Sequence, residues 1–340
     1  MKGVKMLGNR KLEIKDFPVP KAKDDWVLVK VKVCALCGSD LNAFYRPSVE
    51  TAYNNNRFIP GHEISGIVEE IDRAENLKIG DRVVAYPFIG CNNCLICEHK
   101  LWRDCKDWKV IGFDTDGGQA EYVLLPERNL DRIPEDISYI SAALIWDGIG
   151  ASYGAIKRLG VEKKDTVAVF GCGPIGLGAI NNLNYLKCTI VAIDPVPYRL
   201  NMAKNLGAKY TIDPSTQDVS TGLKKISGGL GPDVCLECSG KDKALHQALR
   251  FVKHGGRVGL IGEQGIVEKI NVSDDIIHRD LLLAGSLCYS QDGLEEIIGH
   301  MRKGLDAEKL LTHKFSIQES KEAWDLFDKA KTGKVVIAHE

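Results

Sequence analysis

The sequence predicts an α/β protein of two unlike parts: a doubly wound parallel sheet in the second half, and a β-rich, partly antiparallel domain built from the first part and the C-terminal end. Three observations carry this. A glycine cluster, "GCGPIG" at 171–176, stands between a short β-branched run and a helix-compatible stretch. Beyond it, apolar runs alternate with helical segments up to about residue 288. Residues 1–130 instead alternate apolar and polar positions between Gly, Pro and Asp turns. A length of 340 residues also suits two domains better than one core. The expected partition is 1–150 with 289–340 for the β-rich domain and 151–288 for the parallel sheet.

In chain order, "DWVLVKVKVCALC" reads as a half-buried strand, and "EISGIVEEI", "DRVVAYPF" and "QAEYVLLP" as short strands between turns. "TAYNNNR" at 51–57 reads as an exposed loop. Thr166 to Phe170 and Thr189 to Ile193 read as buried strands on either side of the glycine cluster and its helix. "PDVCLECSG", "GGRVGLIG" and "LLLAGSL" continue the sheet, with "KDKALHQALRFVKH" as an intervening helix. "HKFSIQESKEAWDLFDKAKTGKVVIA" closes the chain as a strand, a helix starting near Ser316 or Gln318, and a last strand.

A formal net charge of −1 gives no basis for a nucleic-acid or anionic-membrane partner. The N-terminus lacks the apolar core of a signal peptide, and no apolar run reaches the ~18 residues of a membrane span. The expectation is a soluble cytoplasmic protein, where clustered cysteines serve metals rather than disulfides.

Four of the 11 cysteines, Cys91, Cys94, Cys97 and Cys105, fall in one 15-residue stretch. Zinc takes four tetrahedral ligands, and a CxxC pair aims two thiolates at one ion. Four thiolates leave no open position, so this is a structural site that supports a shape. The alternatives are a loop of free thiols or a redox CxxC; the latter lacks a flanking strand-then-helix pattern. Cys34, Cys235 and Cys238, like Cys172, Cys188 and Cys288, read as small buried hydrophobes.

The glycine cluster points to a dinucleotide. Gly171 permits the tight turn, Gly173 lets backbone approach a pyrophosphate, and Gly176 lets the helix pack on the strand. The helix opened by Pro174 and Ile175 then turns its N-terminus to the phosphates. Asp194 ends the next strand, 18 residues past Gly176. A carboxylate there accepts from ribose hydroxyls and repels a 2′-phosphate, which favours NAD over NADP. Arg199 lies close enough to raise the NADP alternative as secondary.

Three shorter pieces, "CGSD" at 37–40, "GHE" at 61–63 and "IWDGIGASYG" at 145–154, carry further metal-binding residue types. Alone, His62 reads equally as a turn histidine and Asp147 as a helix cap. Taken with the cysteine loop and "GCGPIG", in this order and spacing, they resemble the zinc-dependent medium-chain alcohol and polyol dehydrogenases, over nearly the whole chain. The resemblance implies a GroES-like catalytic domain with a structural zinc lobe at about 90–106, a Rossmann domain, a cleft between them, two zinc ions and one NAD per chain, and homodimers or homotetramers. By position it implies Cys37, His62 and Asp147 as ligands of a catalytic zinc, with Glu63 a carboxylate beside the metal that binds it when water moves. Asp40 would orient His62. Ser39 would take the substrate proton, but Asn42 stands where a relay histidine is common, so the proton must leave by another route, such as water. Arg279, before "LLLAGS", matches a charged group that helps hold the cofactor. A Cys⁻, His, Asp⁻ trio makes a neutral zinc centre with a fourth position for an alcohol or carbonyl oxygen.

Pocket-lining candidates are Phe44, Tyr45, Phe113, Asp114 and Trp146. The carboxylate ligand and "CGSD" are closer to the polyol, sugar and threonine dehydrogenase branch. The expected substrate is a secondary alcohol or its ketone, on a polyol, sugar or cyclitol. A threonine 3-dehydrogenase-like or amino-alcohol activity, with Asp114 or Asp116 on the amine, is the nearest alternative. A non-catalytic, zinc-stabilised NAD-binding scaffold is the alternative of another class.

Overall fold

The computed structural model describes residues 1–45, 58–263 and 265–339. The loop predicted at 51–57 lies outside the described residues. The chain opens with a hairpin, β1 (Lys2–Gly8) and β2 (Lys11–Asp16), paired antiparallel. The long strand β3 (Trp26–Ala35) follows, and α1 (Asp40–Tyr45) closes its end. Then come β4 (Glu63–Glu70), β5 (Arg82–Ala85), β6 (Phe88–Ile89), the four-residue helix α2 (Leu95–Glu98) inside the cysteine lobe, β7 (Lys109–Val110), β8 (Tyr122–Pro126) and β9 (Leu130–Arg132).

Helix α3 (Tyr139–Ala143) starts at Ser138, whose hydroxyl accepts from Ser141 N–H. A wide π-type turn, Ile145–Ile149, links it to α4 (Gly150–Arg158). The second half then alternates β10 (Thr166–Phe170), α5 (Pro174–Tyr185), β11 (Thr189–Ile193), α6 (Pro197–Asn205), β12 (Tyr210–Ile212), α7 (Val219–Ile226), β13 (Val234–Glu237), α8 (Asp242–Phe251), β14 (Arg257–Leu260) and β15 (Leu282–Gly285). After α9 (Leu294–Arg302) the chain returns to the first sheet through β16 (Leu311–Phe315), α10 (Ser320–Asp328) and β17 (Lys334–Ala338). A capping box between Ser316 and Glu319 sets the start of that last helical stretch, near the predicted residue.

The second-half sheet has six parallel strands in the order β12-β11-β10-β13-β14-β15. Strand order reverses between β10 and β13, so a crevice opens beyond their carboxyl ends, where such sheets take their ligands. The first-half sheet runs β16-β17-β3-β4-β5-β9, with β8 also paired to β3. All its pairs are antiparallel except β16 with β17. One continuous apolar core runs from Val33 and Val84 of this sheet, through Ala143 and Ile149, to Val167 and Leu177 of the other. Helices α3 and α4 and the turn between them therefore lie at the junction of the two sheets. No helix among the described residues is long and apolar enough to cross a membrane.

Candidate metal centre and cofactor cleft

Three separate segments converge at the junction. Cys37 follows β3, where the turn into α1 is tied by Cys37 N–H donating to Asp40 Oδ2 at 3.0 Å. His62 immediately precedes β4 and Glu63 starts it, after a glycine turn with no room for side chains. A side-chain carbon on Gly61 would lie 2.5 Å from Cys34 Sγ, and its φ of +99° suits glycine. Asp147 comes from the π-type turn, which Ile149 N–H closes on the Leu144 carbonyl at 2.8 Å. Wide turns of this kind recur at functional sites.

One ligand atom each from Cys37, His62, Glu63 and Asp147 lie within 4.8 Å of one another. Cys37 Sγ is 2.8 Å from Asp147 Oδ2, and His62 Nε2 is 3.6 Å from the same oxygen. Asp40 Oδ1 stands 3.3 Å from His62 Nδ1, on the far side of the ring. Glu63 Oε2 is buried with no hydrogen-bond partner. An unpartnered buried carboxylate oxygen beside a thiol, an imidazole and a second carboxylate is the donor set of a divalent cation. The residues fit zinc.

Burial pushes the Cys37 thiol up to about 11, with Asp147 adding to it. Burial also raises Glu63 to about 8, against the pull of Lys334. For His62, burial lowers the pKa, but Asp40, Asp147 and Cys37 outweigh it and hold the imidazolium well above its usual range. A dication binds the deprotonated thiol and the neutral imidazole, so on entering it must displace the protons they carry.

The sequence reading missed a central residue. Lys334, first in β17, is 0% exposed and pairs with Glu63 Oε1. Its Nζ also lies 3.4 Å from the Leu36 carbonyl, and its Cε approaches Gly148, where an added side-chain carbon would meet it at 3.1 Å. One lysine thus touches the neighbours of all three ligand segments. Its charge offsets that of Glu63, so Cys⁻, Asp⁻ and a dication make a neutral unit beside it. The signal available in the sequence was a single cation opening an otherwise apolar strand, "KVVIA".

The Cys91, Cys94, Cys97 and Cys105 thiols also fall within 4.8 Å of one another. The Cys91–Cys97 and Cys94–Cys105 Sγ distances are both 3.9 Å. That is far beyond a disulfide bond and close to the ~3.8 Å edge of a tetrahedron with Zn–S near 2.3 Å. The described cysteines are all free thiols.

At the sheet crevice, Gly171 adopts φ +88°, and an added carbon on Gly176 would meet the Gly171 carbonyl at 1.8 Å. Gly173 has nothing within 4 Å of such a carbon. Pro174 and Ile175 open α5. The carboxylate of Asp194 accepts from Cys172 N–H at 2.7 Å and from Val196 N–H at 2.8 Å, so it braces the glycine loop. Arg199 Nη1 lies 4.0 Å from Asp194 Oδ2. An added carbon on Gly178 of α5 would meet the Gly148 carbonyl at 1.9 Å. The helix behind the glycine loop therefore rests directly on the turn that carries Asp147.

Arg279 requires a correction. Its guanidinium donates to the Leu249 and Val252 carbonyls at the end of α8. It precedes β15 and so lies at the amino edge of the parallel sheet, opposite the crevice. It caps a helix and does not reach a cofactor held by the glycine loop.

Among the pocket candidates, Phe113 faces the His62 ring with centroids 5.5 Å apart. Phe44 is instead core, packed against Trp324 with tilted rings and centroids 5.2 Å apart. Tyr45 donates to Asp328 Oδ1 at 2.5 Å. Trp146 is buried edge-on against Tyr86, 5.3 Å away. Asp114 accepts from Val110 N–H and Asp116 from Ile59 N–H, both at 2.9 Å, so each holds its own loop. Ser39 is half-buried two residues from Cys37, and Asn42 is exposed.

Comparison with known proteins agrees. Residues 23–135 match the alcohol dehydrogenase GroES-like domain and residues 174–303 the zinc-binding dehydrogenase domain. An uncharacterized zinc-type alcohol dehydrogenase-like protein of Escherichia coli, YphC, is 34% identical, covering 97% of this chain and 96% of its own. The chain belongs to the zinc-dependent medium-chain alcohol dehydrogenases. Other relatives of this family are an L-threonine 3-dehydrogenase of Caldanaerobacter subterraneus, 32% identical over 94% of this chain and 93% of that protein, and a sorbitol dehydrogenase of Bacillus subtilis, 29% identical over 96% and 93%. The solved structure of alcohol dehydrogenase TADH from Thermus sp. ATN1 superposes with a TM-score of 0.90 at 27% identity, covering all of both chains. This family member is accordingly a zinc-dependent oxidoreductase that acts on CH–OH groups with NAD, on a GroES-like and Rossmann scaffold.

Proposed function

We propose that the protein oxidises a secondary hydroxyl of a polyol, sugar or cyclitol with NAD, or runs the reverse reduction. Cys37, His62 and Asp147 hold the catalytic zinc in this reading, and Glu63, gripped at one oxygen by Lys334, offers the other as an exchangeable ligand. When bound, zinc supplies Lewis acidity toward the substrate oxygen and NAD supplies the hydride acceptor. The chain's own residues do the rest. Asp40 orients His62, Phe113 walls the metal against His62, and Ser39 accepts the hydroxyl proton and passes it to water. Gly171, Gly173, Gly176 and Asp194 hold the dinucleotide, with Arg199 at its rim. The cysteine lobe carries a structural zinc. Residues 1–150 with 289–340 form the catalytic domain and 151–288 the cofactor domain, in a homodimer or homotetramer.

The single observation that carries this reading is the four-residue ligand cluster with a carboxylate in place of a second thiolate. An L-threonine 3-dehydrogenase-like activity is the second reading, favoured by the relative of that name. Against it, Asp114 and Asp116 are engaged with backbone N–H groups rather than presented to an amine.

The test is a panel of polyols, sugars, cyclitols and amino alcohols with NAD, followed by absorbance of the reduced cofactor. Turnover of L-threonine alone replaces the first reading with the second, and turnover with NADP alone overturns the role of Asp194. A chain with one tightly held metal and no turnover is a scaffold. Ser39→Ala is expected to lower kcat by about 10²-fold or more with metal content unchanged; wild-type turnover removes Ser39 from the proton path.

A further inference from the structure

The metal-binding carboxylate sits on a turn whose shape α-helical propensity does not fix. A π-type turn holds one extra residue per hydrogen bond, and tertiary contacts must keep it open. Beside the contacts from α5 and Lys334, some come from the segment Gly285–Tyr289, which packs along the turn and the start of α4. The Cys288 thiol donates to the Trp146 carbonyl at 3.1 Å, one residue from Asp147. Ser286 Oγ donates to the Ala151 carbonyl at 2.9 Å. An added carbon on Gly150, the first residue of α4 after the turn, would lie 3.0 Å from Tyr289 Cβ, so the segment also packs against the start of that helix.

The same segment is gripped from the cysteine lobe. Arg103 stands between Cys97 and Cys105, with its side chain 16% exposed. Its guanidinium donates to the Cys288 carbonyl. Tyr86 reinforces this by donating to the Tyr289 carbonyl at 3.3 Å while its ring meets Trp146 edge-on. Phe88 extends the contact to Trp108, just past the lobe, at 4.9 Å between centroids. A connected path thus runs from the four thiolates through Arg103, Cys288 and Trp146 to Asp147.

We propose that Arg103 is a positioning residue for Asp147, so that the cysteine lobe sets the geometry of the distant metal centre through the Cys288 carbonyl. The inference rests on the assignment of Cys37, His62 and Asp147 as metal ligands. Groups that orient a metal ligand without touching the ion commonly change metal affinity by about 10- to 100-fold.

The experiment loads the full chain with Cd²⁺ in place of zinc and records cadmium NMR. A four-thiolate site resonates well downfield of a site with one thiolate and N/O ligands, so both ions are read at once. Arg103→Leu is expected to shift or broaden the mixed-ligand resonance and weaken Cd²⁺ there about 10-fold. The four-thiolate resonance and the Kd for NAD should hold. Arg103→Lys, which keeps a donor for the Cys288 carbonyl, should recover the wild-type resonance. A mixed-ligand resonance and affinity unchanged in Arg103→Leu overturn the proposal. Should Arg103→Leu also lose the four-thiolate resonance, Cys288→Ala decides, because it breaks the link to Trp146 and leaves the lobe whole. The same shift of the mixed-ligand signal supports the path, and an unchanged signal overturns it. Wild-type protein with a four-thiolate resonance alone overturns the metal assignment itself, before any variant is made.

Discussion

Lys334 and Glu63 form a fully buried ion pair within the ligand cluster, and removal of one partner leaves the other as an uncompensated buried charge. Such a loss destabilises by about 3–5 kcal/mol. Lys334→Met is therefore expected to lower the unfolding midpoint measurably in a thermal melt, and Glu63→Gln in the same chain to restore most of it. A single variant that melts with the wild type would mean the pair carries no charge inside the fold. Of the residues at this centre, Cys37, His62 and Asp147 stood out only together, through the order and spacing of their motifs with the cysteine loop and the glycine cluster; alone, His62 reads as a turn histidine and Asp147 as a helix cap. Lys334 was not, because its role exists only once β17 pairs antiparallel with β3 and brings residue 334 beside Leu36. Phe44 was misread for a related reason. A six-residue helix is too short for its periodicity to tell the core face from the cleft face, and the contact with Trp324, 280 positions away, settles the matter.

The glycine loop and α5 act as one element. The added carbon of Gly176→Ala would collide with backbone, not with a flexible side-chain tip. Overpacking of this kind costs about 1–3 kcal/mol, or about tenfold or more in Kd if it falls on the bound form. Gly176→Ala is expected to weaken NAD accordingly, read by quenching of protein fluorescence, with both metal sites still filled. Unaltered NAD affinity would show that the loop tolerates a side chain there. The alternation of strand and helix over β10 to β15 was readable in advance, since buried parallel strands are short apolar runs and their helices carry a polar face. Which edge of the sheet a residue occupies was not readable from sequence alone. Arg279 sits two residues before the apolar run of β15, and only the parallel register of β14 with β15, Arg257 opposite Leu282, puts it at the edge away from the crevice.

At the scale of the whole molecule, polar contacts tie the C-terminal segment back to the first part of the chain. Gln291 Nε2 donates to Asp131 Oδ2 on β9 at 2.9 Å. Burial raises the Asp131 carboxyl to about 6, with Gln291 only partly offsetting it. The folded state thus holds this proton more tightly than the unfolded chain, whose carboxyl has the ordinary value near 3.8. Stability from this group is complete at low pH and is lost as pH rises through about 6. Asp131→Asn is expected to stabilise the protein by about 1–3 kcal/mol at pH 7 and by little at pH 4, in melts at the two values. An equal effect at both would place the change elsewhere. One close approach joins the halves differently. Gly178 lets the cofactor helix rest on the carbonyl of Gly148, so no gap exists there to be closed. Any rocking of one half against the other has to pivot about that seam, and atoms beside a pivot travel least. Asp147 and the first turn of the cofactor helix keep their spacing through such a swing, while the outer rims of the mouth sweep the widest arc.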